Sequence, residues 1–309
     1  MPHPTLVTDL CGVRLENPLV LASGILGVTA SSLLRVANSG AGAVTTKSFS
    51  VDERPGHKGP TILSFGAGLI NAVGLSNPGV DAAVAEIRAY KAISRTPIVA
   101  SIFGRTVDEF GAVAERAAAA HPDLIEVNVS CPNVAAELGT PFEADPATLA
   151  AVTRKVKAAA RSVPVSVKLS TNFGFLARAA QAAADAGADL LTAINTVGPG
   201  IVIDTNVRRP VLANVTGGVS GRAILPIAVR AVFEISRAVR IPIIGTGGVA
   251  SAEDALQMLM AGATAVGIGS AVYDHGVEVF AAVGRGLTAY LEREGLDRLD
   301  SIRGAAHVA

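Results

Sequence analysis

A (β/α)8 barrel, an α/β fold of eight strand–helix units closed on itself, is the fold class this sequence predicts. Three observations point to it. Short apolar runs alternate with longer amphipathic segments from end to end, the junctions between them repeat, and polar residues gather where the strands should finish. A length of 309 residues fits either two average domains or one barrel of about 250 residues with additions. No linker or low-complexity stretch divides the chain, so a single domain over residues 1–309 is expected.

Composition narrows the class further. Half of the residues are hydrophobic and 17% are charged, enough apolar material for a large core and too much for a disordered or fibrous chain. Lysine plus arginine equals aspartate plus glutamate at 26 each, so a general affinity for nucleic acid or anionic membrane is not expected. Cys11 and Cys131 are the two cysteines, too few for a disulfide framework or a four-thiolate metal or iron–sulfur site. They suit a reduced, cytoplasmic protein. The early apolar stretch 17–28 is too short to span a bilayer and follows Asp9 and Glu16 rather than basic residues.

The first elements are two alternating pieces, 5–9 and 13–15, around Cys11-Gly12. They read as a hairpin plugging the barrel bottom, which makes Cys11 structural. Barrel strands are expected at 19–22, 43–47, 98–102, 124–128, 165–169, 190–195, 243–246 and 265–269. Each is nearly continuously apolar, as a strand buried on both faces should be. Helices are expected between them, for example at 107–120, 146–161, 173–186, 225–239 and 252–261. The segments "SGAGAVT" (39–45), "DAGADLL" (185–191) and "MAGATAV" (260–266) each place a glycine just past a helix, where a left-handed C′ residue ends it. "TPIVAS" (96–101), "VPVSVK" (163–168) and "IPIIGT" (241–246) each put proline at the strand entrance, where no ladder donor is lost. Such repetition favours the closed barrel over a doubly wound sheet, the structural alternative. The Gly/Pro-rich excursion 48–80 is too long for an ordinary βα loop and is expected to build a substrate site.

In a barrel the working residues sit at the C-terminal strand ends. Here those ends carry Ser23, Lys47-Ser48, Ser101, "NVSCPN" (128–133), Lys168, Asn195-Thr196, "GTGG" (245–248) and "GIGS" (267–270). Glycine turns after strands seven and eight form a barrel's usual phosphate site, because backbone N–H groups reach phosphate oxygens only where no Cβ intervenes. Lys47 and Lys168 are expected partly desolvated in the barrel mouth. Such a lysine needs a carboxylate, a phosphate or an electron-rich ring, or else a structural ion pair, for which Glu126 is the obvious acid. A Schiff base is a further option. Asn71, Asn128, Asn133 and Asn195, with Thr196, suit a planar ring carrying amide groups, although asparagine also caps turns. Cys131 lies in a polar loop and is the candidate nucleophile or base; none of the five histidines falls nearby in sequence, and no metal-ligand spacing occurs.

These pieces carry a family resemblance. "TTKSFS" (45–50), "NAVGLSNPG" (71–79), "EVNVSCPN" (126–133), "VKLS" (167–170), "INTVGPG" (194–200), "IPIIGTGG" (241–248) and "AGATAVGIGSA" (261–271) occur in order. The sequence resembles the class 1 dihydroorotate dehydrogenases over nearly its whole length, most closely the class 1B catalytic subunits in an archaeal-type variant. The resemblance implies oxidation of dihydroorotate to orotate in pyrimidine biosynthesis, with FMN as the cofactor. It places the FMN phosphate on Gly221, Gly247, Gly248, Gly269 and Ser270, and the ring against Ser23, Lys47, Ser48, Ser101, Asn128, Lys168 and Ile194. Lys168 would face the edge of the ring that becomes anionic. Substrate would be held by Lys47, Asn71, Ala72, Val73, Gly74, Leu75, Asn128, Asn133, Asn195 and Thr196, with Cys131 taking the proton from C5. Two departures stand out: Ser101 replaces an asparagine common near the ring, and loop 133–146 lacks the family's His-Gly pair. Class 1B implies an FAD and [2Fe–2S] partner subunit passing electrons to NAD, and a homodimer within a heterotetramer. The alternatives are a class 1A-like homodimer reducing fumarate, a related barrel acting on another dihydropyrimidine, and a lyase for phosphorylated ligands that uses no flavin.

Overall fold

Eight parallel strands close into a barrel in the computed structural model, which describes residues 4–129 and 142–307. In chain order they are β1 (Leu19–Leu21), β2 (Val44–Thr45), β3 (Ile98–Ile102), β4 (Leu124–Asn128), β5 (Val165–Leu169), β6 (Leu190–Ala193), β7 (Ile243–Thr246) and β8 (Ala265–Ile268). Neighbours in sequence are neighbours in the sheet, and β8 pairs with β1. A bridge between Val20 and Ala43, with Leu21 N–H donating to Ala43 O at 2.9 Å, closes the ring and sets aside the doubly wound alternative. Strands fall where apolar runs placed them, each within two residues of the expected ends.

The strand interiors explain why those runs are continuous. Along β4, Ile125 and Val127 face the helical layer, while Leu124, Glu126 and Asn128 face the barrel axis. Helices α1 (Ala30–Asn38), α2 (Gly79–Ile93), α3 (Val107–Ala118), α4 (Pro146–Ala160), α5 (Leu176–Asp185), α6 (Leu225–Ala238), α7 (Ala252–Met260), α8 (Ala271–His275) and α9 (Val279–Glu294) surround the sheet. Side-chain caps start several of them: Thr106 accepts from Glu109 N–H, and Ser251 makes a reciprocal box with Asp254. Gly40, Gly187 and Gly262 all take positive φ just past helices, as their repeated context requires. Pro97, Pro164 and Pro242 accept ladder bonds from Val44, Ile125 and Leu191 at the strand entrances while having no N–H to donate. None of the helices among the described residues is long and apolar enough to cross a membrane.

The barrel bottom is plugged as expected. Strands Thr8–Leu10 and Val13–Leu15 form a hairpin whose turn, Cys11-Gly12, has positive φ at both residues. Leu10 and Leu15 pack onto the lowest inward layer, Val20, Ala43, Val99, Leu124, Leu190, Ile244 and Ala265. The Cys11 thiol donates to Asp189 O at 3.2 Å, and burial together with Asp189 and Asp9 pushes its pKa up to about 11. That is a structural cysteine.

Over the opposite, C-terminal face lies a four-stranded antiparallel sheet built from two distant insertions. Ile62–Ser64 and Leu69–Asn71, both inside the long excursion after β2, pair with Gly217–Ser220, which pairs with Val197–Gly200 after β6.

Candidate active site

Between this sheet and the strand ends lies a cavity of about 410 Å³. Its wall is drawn from the ends of every barrel strand but β3, which is why residues far apart in sequence meet there. Ser23, Lys47, Ser48, Asn71, Val73, Gly74, Leu75, Asn128, Lys168, Ile194, Asn195, Thr196, Gly221, Gly247, Gly248, Gly269 and Ser270 all line it. Two expected members do not: Ala72 and Ser101 are fully buried and absent from the wall. Ala72 is the inward-turned residue of its segment. Ser101 lies one strand level lower, opposite Glu126 in the β3–β4 register, and reaches the cavity only through Ser48. Cys131 and Asn133 lie outside the described residues.

Lys168 is the buried cation of the floor. Its Nζ donates to Ser23 Oγ at 2.8 Å and stands 3.6 Å from Glu126 Oε1, with both charged side chains about 5% exposed. The ion pair weighed for the strand-end lysines is therefore present at Lys168, and the same ammonium still lines the cavity. Glu126 Oε1 also accepts from Ser101 Oγ at 3.0 Å, and Ser101 Oγ is 2.8 Å from Ser48 Oγ. Asn128 Nδ2 donates to Ser48 Oγ at 3.4 Å, and Asn195 Nδ2 to Asn128 Oδ1 at 3.2 Å. Asn71 Nδ2 donates to Gly218 O at 3.3 Å, tying the covering sheet's register to a wall residue.

The glycines on the β7–β8 side have a steric reason. Gly247 and Gly248 have φ of +133° and +80°. A Cβ on Gly248 would stand 2.8 Å from Leu225 N, the first residue of α6, and one on Gly221 would stand 2.7 Å from Gly68 Cα. Backbone thus comes against backbone at both glycines, at Gly248 against the start of α6, whose N–H groups lie beside the cavity. Thr246 lines the cavity, but its Oγ1 is buried against Gly267 on the neighbouring strand and has no hydrogen-bond partner among the described residues. Glycine turns, a buried cation and a row of amides around one cavity fit a phosphorylated aromatic group with space beside it for a small polar ring, as FMN and a pyrimidine would need.

Several contributors were not singled out from sequence. Thr246 reads there as an ordinary strand residue. Asn172, which donates to Thr196 O at 3.3 Å and accepts from Gly198 N–H at 2.9 Å, anchors the start of the second insertion. Glu143 is buried and accepts from Ser170 N–H at 2.9 Å at the end of β5.

Fold and cavity together define an α/β barrel of the enzyme type, with a ligand-sized site at the C-terminal strand ends. The chain belongs to the dihydroorotate dehydrogenase family, whose model matches residues 5–291. It is 44% identical over 302 residues to the dihydroorotate dehydrogenase B (NAD(+)) catalytic subunit of Methanothermobacter thermautotrophicus, covering 98% of each chain. The catalytic subunit of the same name from Methanosarcina mazei is 45% identical, over 98% of this chain and 95% of that protein. That from Pyrococcus horikoshii is 42% identical, over 97% of each. These archaeal relatives agree with the expected archaeal-type variant, and the similarity to NAD-linked catalytic subunits over nearly the whole chain favours that class over the fumarate-reducing one. The family match also sets aside a flavin-free lyase.

Proposed function

We propose that this chain is the catalytic subunit of an NAD-linked dihydroorotate dehydrogenase, oxidising (S)-dihydroorotate to orotate in pyrimidine biosynthesis. The observation that carries the reading is the meeting, in one cavity, of the Gly247–Gly248 turn, the buried Lys168 and the asparagines 128 and 195. Gly221, Gly247, Gly248, Gly269 and Ser270 would hold the phosphate of FMN, and Ser23, Lys47, Ser48, Asn128, Lys168 and Ile194 its ring, with Ser101 acting from behind Ser48. When bound, FMN would supply the hydride acceptor. Lys47 binds the substrate carboxylate, a charge-assisted contact made where water is largely excluded. The segment from Asn71 to Leu75, with Asn128, Asn133, Asn195 and Thr196, orients the pyrimidine. Cys131, as thiolate, takes the proton from C5 as the C5–C6 double bond forms. Electrons leave through a partner subunit carrying FAD and a [2Fe–2S] cluster, to NAD, within a heterotetramer built on a dimer of this chain.

Purified anaerobically, the chain is expected to show a flavin band that bleaches when dihydroorotate is added. A band that stays removes the substrate, and no band after adding FMN removes the reading altogether. Cys131→Ala is expected to retain FMN and lose most turnover; near-normal turnover would remove Cys131 as the base.

A further inference from the structure

The segment that follows Asn71 uses its two sides unequally. Four consecutive carbonyls on it accept hydrogen bonds. Ala72 O lies 3.1 Å from His57 Nδ1, and Val73 O accepts from the His57 backbone N–H at 3.0 Å. Gly74 O accepts from Arg54 Nε at 3.2 Å, and Leu75 O from Asn77 Nδ2 at 2.9 Å. A carbonyl can only accept, so His57 Nδ1 carries the proton. By contrast, the N–H groups of Val73, Gly74, Leu75 and Ser76 have no hydrogen-bond partner among the described residues. Those four residues line the cavity, whereas His57 and Arg54 stand outside its wall. A peptide unit is planar and trans, so each N–H points opposite to the carbonyl of its own unit. With the carbonyls drawn back toward residues 54–57 and Asn77, the N–H groups face the cavity. Gly74 and Leu75 both have left-handed backbones, φ +74° and +57°, a conformation in which successive N–H groups form a concave, anion-binding row. A leucine keeps that conformation only where its surroundings impose it.

We propose that His57 and Arg54 are positioning residues, which hold the Ala72 and Gly74 carbonyls from behind and so aim the Val73, Gly74 and Leu75 N–H groups at the substrate carboxylate. Each of those two carbonyls has one hydrogen-bond partner among the described residues, and in both cases it is one of these side chains. Without that partner the peptide can rotate and its N–H leaves the row. The His57 ring also lies against Gly74, where a Cβ would stand 2.6 Å from its Cδ2, so the brace and the row fit closely. The row and Lys47 divide the work. An ammonium supplies charge with little direction, while fixed N–H groups supply direction. Converging donors also discriminate: a carboxylate oxygen accepts from them, whereas the NH2 of a neutral amide meets donor with donor and goes unpaired.

The proposal rests on the pyrimidine reading of the site, and its test separates the two. The probes are orotate and orotamide, the same ring with its carboxylate replaced by a neutral amide. Their dissociation constants are measured on the FMN-loaded chain from the change in the flavin spectrum. The wild-type chain should prefer orotate. In His57→Ala, and independently in Arg54→Met, that preference should shrink roughly tenfold, the scale of one hydrogen bond to a charged group. His57→Asn, whose amide nitrogen can reach the place of Nδ1, should restore the wild-type preference. Equal weakening of both ligands with the ratio kept, or an Asn variant no better than the Ala one, would reduce His57 and Arg54 to structural support and overturn the proposal. Crystal structures of the wild-type and His57→Ala chains without substrate give a reading independent of the ligand. The Ala72 carbonyl should point to His57 in the first and turn away in the second; an unmoved peptide overturns the proposal. Failure of both ligands to bind the wild-type chain would remove the pyrimidine reading, and the pair of crystal structures would still decide the positioning.

Discussion

Lys168 and Glu126 oppose each other inside the barrel, Nζ to Oε1 at 3.6 Å, at adjacent strand positions where a charge has almost no access to water. Each is the other's compensation. Neither side chain is exchangeable alone without leaving a bare charge in the interior.

Lys168→Met is therefore expected to lower unfolding stability by about 3–5 kcal/mol, the range for stripping one partner from a buried pair. Adding Glu126→Gln should recover much of that loss, since no charge is then left unpaired. Urea unfolding at a fixed FMN concentration measures both, and a double variant no more stable than the single would show the two groups to be uncoupled.

Gly248→Ala places a methyl 2.8 Å from the backbone nitrogen of Leu225 at a residue with φ of +80°. The strain should amount to about 1–3 kcal/mol, with the helix start pushed away from the turn. Fluorescence titration with FMN should show several-fold weaker binding alongside a lower Tm. Unaltered FMN affinity would move the phosphate off this turn.

Cys11 should be the slower of the two cysteines to alkylate at pH 8, because burial and the neighbouring acids raise its pKa from 9.0 to about 11. Peptide mapping after brief iodoacetamide treatment reads this out, and early labelling at Cys11 would contradict it. The sign of the pH effect follows. The folded chain keeps this proton longer than the unfolded one, so Cys11's contribution to stability is complete below about pH 9 and is lost as pH rises toward 11. In Cys11→Ala that part of the alkaline decline should vanish.

Lys47→Ala is expected to raise the KM for dihydroorotate by about tenfold or more, the scale of a hydrogen bond to a charged group, while FMN affinity changes less. Steady-state kinetics and flavin titration on one preparation separate the effects. An unchanged KM would take the substrate carboxylate away from Lys47.

The barrel was readable because its strands are buried on both faces and its punctuation repeats. Ile98–Ile102 and Leu124–Asn128 fall at their expected bounds for that reason. The covering sheet was not. Strands of three or four residues are too short for a period to show, and Asn71 finds its partner Gly218 only 147 residues later. Most of the cavity wall was legible, since strand-end position alone indicates it. Ser101 shows the limit: whether a strand's last polar residue meets ligand or lies a level beneath depends on barrel stagger, and stagger is a property of pairing between strands. The Lys168–Glu126 pair lay between, with its acid identified as a candidate and its geometry supplied only by the closed ring.

The covering sheet has an evolutionary and practical corollary. Most of the cavity wall belongs to the barrel proper, and its roof to two inserted segments that are strands only because they bond to each other. Leu69–Asn71 without Gly217–Ser220 would be an open edge above the cavity, and the converse holds equally. Exchanging one insertion with a relative's should thus disorder the roof rather than retune it. The roof of the cavity is heritable, and transplantable, only as a matched pair of segments.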